Sequence, residues 1–183
     1  MKSSQLSKRV RLLAAPSALL LATLLAGASP ALAASPTSTE SFLQDVVSTD
    51  STEAQIGQLA LQKSSSAGVK KLGQMLIDDH TAAGQEATRL ANTRQVSLPV
   101  AEAATDQQAT VQALSSLSGD AFDRAFINAV IQSSQAAIAK YEAQAQSGDG
   151  DVAAFATQTL PQLQSHLQMA RMLKMRATEH NTP

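Results

Sequence analysis

The stretch Val69-Lys70-Lys71-Leu72-Gly73-Gln74-Met75-Leu76-Ile77-Asp78-Asp79-His80-Thr81-Ala82-Ala83-Gly84-Gln85-Glu86-Ala87-Thr88-Arg89-Leu90 decides the fold. Val69, Leu72, Leu76, His80, Ala83, Ala87 and Leu90 recur at steps of three and four, which puts them on one stripe of a helix. The helix is expected to run about 26 residues and to stop before Ser97-Leu98-Pro99, because a residue preceding proline disfavours helical dihedrals. A helix of that length with one apolar stripe needs other helices to cover it.

Those partners lie on either side. Upstream, Phe42, Val46, Thr49, Glu53, Ile56, Ala60 and Lys63 keep the same spacing, and Ser64-Ser65-Ser66-Ala67-Gly68 closes the segment. Downstream, a polar connection from Ser97 to Asp106, long for a hairpin, is expected to cross the molecule. Val111, Leu114 and Leu117 mark a short helix, and Ser118-Gly119-Asp120 breaks it and offers the next N-cap. A third long helix follows, with Phe122, Phe126, Ala129, Ser133 and Ala137 in one row and Ile127, Val130, Ile131, Ser134, Ile138 and Tyr141 beside them. Ser147-Gly148-Asp149-Gly150 ends it, and a last helix from Asp151 to about Ala177 turns Val152, Phe155, Thr159, Leu163, His166, Ala170 and Leu173 inward. Val69-x-x-Leu72-Gly73 is faintly echoed by Val152-x-x-Phe155-Ala156. No strand pattern occurs. Two helix pairs, each closed by a Ser/Gly turn and joined by one long connection, predict an all-α, ferritin-like four-helix bundle over residues 42–177, with a short tail at 178–183.

The start of the chain reads differently. Lys2, Lys8, Arg9 and Arg11 precede an apolar run from Leu12 to about Gly27, and Ala31-Leu32-Ala33 supplies a small-residue cleavage pattern. Residues 1–33 are therefore expected to be a signal peptide cut after Ala33, and 34–41, rich in Ser, Thr and Pro, a flexible linker. The apolar run is shorter than a bilayer span and carries Pro16 at its start. The expected address is the periplasm, with secretion, outer-membrane association and an uncleaved anchor left open.

Fourteen basic residues less the four in the leader leave ten against fifteen acidic ones, a formal charge of −5. An acidic surface with scattered cations and almost no aromatics makes nucleic acid an unexpected partner. The absence of cysteine excludes disulfides, thiolate metal sites and cysteine nucleophiles. Neither a phosphate loop nor a Gly-x-Ser-x-Gly elbow nor His-Glu-x-x-His occurs, so nucleotide binding, serine hydrolysis and zinc proteolysis lack their usual residues. The broad apolar face of the third long helix points to a homodimer or a docked envelope protein.

Three ionisable residues fall on inward stripes: Glu53, His80 and His166. A buried carboxylate needs a cation, a donor or water beside it, and the histidines can supply one. Asp79 sits beside His80 in sequence, and Ser133 and Ser134 can complete a polar layer. The plainer reading, which we favour, is a hydrogen-bonded layer that fixes helix register, with no cofactor and no catalytic residue. The sharper one is a transition-metal site formed by Glu53, His80 and His166. A di-iron bundle carries Glu-x-x-His on two helices, whereas Ile77 and Leu163 stand three residues before the two histidines. Pro161 is expected to kink the last helix at a cost of about 3 kcal/mol. Gly57, Gly73 and Gly84 read as close-packing points between helices, and His180 as a tail residue.

Glu53-Ala54-Gln55-Ile56-Gly57-Gln58-Leu59-Ala60, Val69 to His80, Leu117-Ser118-Gly119-Asp120-Ala121-Phe122-Asp123 and Leu160-Pro161-Gln162-Leu163-Gln164-Ser165-His166-Leu167 together resemble the bacterial family called domain of unknown function 4142. The likeness spans about Phe42 to Leu173. It implies a ferritin-like helical protein exported to the envelope, loosely associated with envelope stress, and no established enzyme activity. Members resembling this chain usually carry an acidic-His pair on the third long helix where this chain has Ser133-Ser134, so if the family binds metal through that histidine, this chain has lost a ligand and Glu53, His80 and His166 are the matching remainder.

Overall fold

A computed structural model of the chain describes residues 38–98 and 105–179. The leader, most of the linker, the middle of the long connection and His180 lie outside them. The described residues form five helices and no strand: α1 (Ser38–Lys63), α2 (Ala67–Thr93), α3 (Thr105–Ser115), α4 (Gly119–Ala145) and α5 (Gly150–Glu179). The all-helical class is thus as the periodicity predicts. Among these residues no helix is long and apolar enough to cross a membrane.

α1 packs on α2 and α4 on α5, while α2 meets α5, α1 meets α4, and α3 lies against α1 and α4. The first pair is drawn close by glycine. A Cβ on Gly57 would stand 2.5 Å from the Gly73 carbonyl oxygen, and one on Gly73 would stand 2.7 Å from Ala60 Cβ. Both glycines therefore mark backbone-to-backbone contact, the close packing between helices expected of them. The Ser64–Ser66 turn is tied by Ser64 Oγ accepting from Ser66 N at 3.0 Å, and Ser66 caps α2 by accepting from Val69 N.

α1 begins at Ser38, four residues ahead of the expected start at Phe42, because its first turn is anchored elsewhere. Thr39 is buried and donates through Oγ1 to Asp149 Oδ2 at 2.6 Å, and Arg94 reaches Asp149 and Asp151 at 2.6 and 2.5 Å. The beginning of α1, the end of α2 and the α4–α5 turn are joined there. α5 runs unbroken through Pro161. Pro161 and Thr157 are both exposed, so the carbonyl freed by the missing donor faces solvent.

The core is divided in two. Phe42, Leu43, Val46, Leu90, Tyr141, Phe155 and Leu163 form one cluster, in which Phe42 and Tyr141 meet edge to face with centroids 5.0 Å apart. Ile56, Leu72, Leu76, Phe122, Phe126, Val130 and Ala170 form the other. On every long helix at least one buried polar residue falls between the two: Asp50 and Glu53 on α1, His80 on α2, Ser134 on α4 and His166 on α5. A polar layer crosses the interior at mid-height. Among the described residues the large apolar ones exposed to solvent are Met172 and Met175 on α5.

Candidate functional site

Asp50 comes four residues after Val46 and three before Glu53, so all three share a face of α1. Across from it on α2, His80 Nδ1 lies 2.7 Å from Asp50 Oδ1, with both side chains buried. Gly84, one turn further along α2, makes room for this carboxylate: a Cβ there would be 3.3 Å from Asp50 Cβ and 3.7 Å from Oδ2. That second oxygen is enclosed and has no hydrogen-bond partner.

Successive helical residues point about 100° apart, so Asp79 serves a different neighbour from His80. It turns to α5, where His166 Nε2 lies 2.7 Å from Asp79 Oδ2. His166 is fully enclosed, whereas the Asp79 side chain keeps 33 % of its exposure. Nδ1 of His166 is buried without a partner, and the two imidazoles lie 5.3 Å apart with their planes tilted by 36°. Each histidine is thus held by a carboxylate through one ring nitrogen.

Glu53 is buried beside this pair, within reach of the His80 charge and the Ser133 hydroxyl. Ser133 Oγ also lies 3.3 Å from the Val130 carbonyl, so its single proton is shared between two acceptors. Burial pushes the Glu53 carboxyl above its ordinary value, and His80 and Ser133 offset this only in part. Asp50 is raised for the same reason, against the pull of its bond to His80. For His80, burial favours the neutral ring, but the bond and charge of Asp50, with Glu53 and Asp79, outweigh it and hold the pKa above 6.5. His166 goes the other way: burial lowers it, the Asp79 bond compensates partly, and a charge on His80 lowers it further. The carboxylates around His80 thus favour its charged form, while burial disfavours that of His166.

A cavity of about 330 Å³ leads to the layer from the α1, α3 and α4 side. Its walls include Phe42, Val46, Ile56, Ala129, Tyr141 and Leu163, and its polar end includes Asp50, Glu53, His80 and Ser133. α3 is fixed over α1 at this side by Gln107, whose Nε2 donates to Thr49 Oγ1 at 2.9 Å and whose Oε1 accepts from Thr52 Oγ1 at 3.1 Å. Lys140, also on the wall, is 2.8 Å from Asp45.

Of the three residues singled out from sequence, Glu53 and His80 line the cavity, while His166 lies against His80 from α5 and is not among the lining residues. Asp79 stands beside His80 only in sequence; its partner is His166. The residue that sequence reading passed over is Asp50. Its signal was present, since Val46, Asp50, Glu53 and Gly57 keep helical spacing, but the stripe drawn through Thr49 left it one place off the inward face. Among the described residues no group of three or more His, Asp and Glu side chains is placed to hold a metal ion.

Fold and site define an all-helical protein with a buried carboxylate–imidazole layer opening to an apolar cavity. The family model for the domain of unknown function 4142 matches residues 24–173, and the chain belongs to that family. No curated protein and no solved structure matches it.

Proposed function

We propose that this chain is an exported protein of the bacterial envelope, a ferritin-like four-helix bundle that acts by binding in the α1–α3–α4 cavity, without catalysis. The cavity is the observation that carries this reading: an apolar chamber of about 330 Å³ ending on buried polar groups has the size and lining of a small-molecule site. His80, at the polar end, is committed to Asp50, which suits a fixed recognition surface. The leader-like start supports export, and the family resemblance is compatible with a part in envelope stress. Expressed with its leader in a bacterium, the protein is expected in the osmotic-shock fluid with Ala34 as its first residue. It is also expected to turn over neither hydrogen peroxide nor ferrous iron. Retention in the cytoplasm overturns the address, and measurable turnover overturns the non-catalytic role.

A second reading is favoured by the two Asp–His pairs. Metal-binding histidines characteristically give their other ring nitrogen to a carboxylate, as both do here, and His166 Nδ1 is left buried and unpartnered. Two imidazoles on one tetrahedral ion have ring centres about 5 Å apart, close to the observed 5.3 Å. The donors suit a borderline transition metal held by His80 and His166, with Glu53 as the further candidate ligand. Elemental analysis of chelator-free protein decides: stoichiometric metal lost in the His80→Ala/His166→Ala variant supports this reading, and no metal in the folded parent removes it.

A further inference from the structure

We infer that the cavity selects a ligand with a protonated amine head and a compact apolar body, seated with the amine toward Glu53. This rests on the cavity being a binding site, as proposed above.

The charge pattern of the walls carries the inference. Two carboxyls, Asp50 and Glu53, stand at the polar end against one imidazole, and His80 is already engaged by Asp50 at 2.7 Å. Among the described residues the Ser133 hydroxyl, shared with the Val130 carbonyl, is the donor that reaches Glu53. Among the described residues the one Lys or Arg on the cavity wall, Lys140, is exposed and is paired with Asp45. A carboxyl withdrawn from water without a cation is costly, and a ligand that brings N–H donors and a positive charge removes that cost. An anion meets the opposite situation, since no wall cation is free to receive it.

The rest of the cavity fixes the ligand body. Phe42, Val46, Ile56 and Leu163 offer apolar surface. The volume equals that of about ten water molecules. A bare ion leaves such a chamber largely unfilled, whereas a six-membered ring with a one-carbon amine arm occupies it.

Benzylamine, benzyl alcohol and benzoate share one shape and differ in the head group. Titrated calorimetrically into the purified protein near neutral pH, benzylamine is expected to bind at least tenfold more tightly than benzyl alcohol, and benzoate not to bind. In Glu53→Gln, checked for retained helicity, benzylamine is expected to fall to the affinity that the alcohol has for the same variant. Equal affinity of amine and alcohol in the parent overturns the amine preference and leaves the cavity as a binding site. An amine preference that survives in Glu53→Gln removes Glu53 as its origin. Failure of all three probes to bind the parent overturns the cavity as a site of this kind. The comparison within the parent stands even where the variant does not fold.

Discussion

Gly57→Ala tests how closely the α1–α2 pair is held and what that closeness does for the polar layer. In an exposed helix interior this change gains about 1 kcal/mol, because alanine is the better helix former. Here the new methyl would lie 2.5 Å from the Gly73 carbonyl oxygen, about 0.9 Å inside the 3.4 Å at which ordinary contact begins. It would also lie 2.9 Å from Ile77 Cγ1. A side-chain atom can turn away, but the carbonyl belongs to the backbone of α2, so the helices must separate. Overpacking of this kind costs about 1–3 kcal/mol, and more where backbone moves. We expect the steric cost to exceed the propensity gain and leave a net loss of about 2 kcal/mol, a fall of about 4–8 °C in Tm for a domain of this size. The same displacement lengthens the 2.7 Å Asp50–His80 bond two turns away, so the His80 ring protons should shift in the NMR spectrum. Gly84→Ala is the control, since its Cβ meets only Asp50 at 3.3 Å and beyond. A Gly57→Ala protein as stable in urea as the parent, or more so, refutes the close approach of the two backbones.

Other expectations follow from the ion pairs and the two dyads. Because the folded pKa of His166 is depressed, its contribution to stability is present above about pH 6.5 and lost as the pH falls below it. The stability advantage of the parent over His166→Gln, measured by urea unfolding, should therefore shrink between about pH 7.5 and 5.5; an advantage that grows on acidification contradicts the assignment. Asp79→Asn removes the charge that partly supports the His166 proton, so an NMR titration should find the His166 pKa lower than in the parent. Arg94→Ala breaks the Asp149 and Asp151 contacts at the surface and should cost less than about 1 kcal/mol, with the difference fading in high salt. A larger, salt-insensitive loss would show that Arg94 acts through packing.

The helices and the layer were legible because each long stripe is interrupted by a polar residue at the same height. Glu53, His80, Ser134 and His166 stand between the apolar residues of two clusters, a coincidence visible before any coordinates. The pairing within the layer was not legible. Whether Asp79 or Asp50 meets His80 depends on the register of α1 against α2, which Gly57 and Gly73 set by contact between chains far apart in sequence. Asp79 lies next to His80 in the chain, yet the helical twist carries it to α5. The start of α1 was displaced for a similar reason, since the Thr39 bond to Asp149 spans 110 residues. The cavity depends on α3 docking through Gln107, a residue with no pattern to mark it.

The carboxyls of the layer have unequal duties, and substitution by leucine separates them. Asp50 holds His80, so Asp50→Leu leaves a buried imidazole without its partner, a loss of about 3–5 kcal/mol for a broken buried pair. Glu53 is not the fixed partner of either histidine, and its pKa is raised because burial outweighs the help it receives. Replacing such a group with an apolar side chain of similar volume removes a desolvation cost, and Glu53→Leu should gain about 1–3 kcal/mol in urea unfolding. A gain in stability at this one polar position would mark Glu53 as the place where the bundle gives up stability for something else, and loss of benzylamine binding in the same variant would say what. If Glu53→Leu instead destabilises as strongly as Asp50→Leu, Glu53 is a structural member of the layer, and the layer's role is helix register alone.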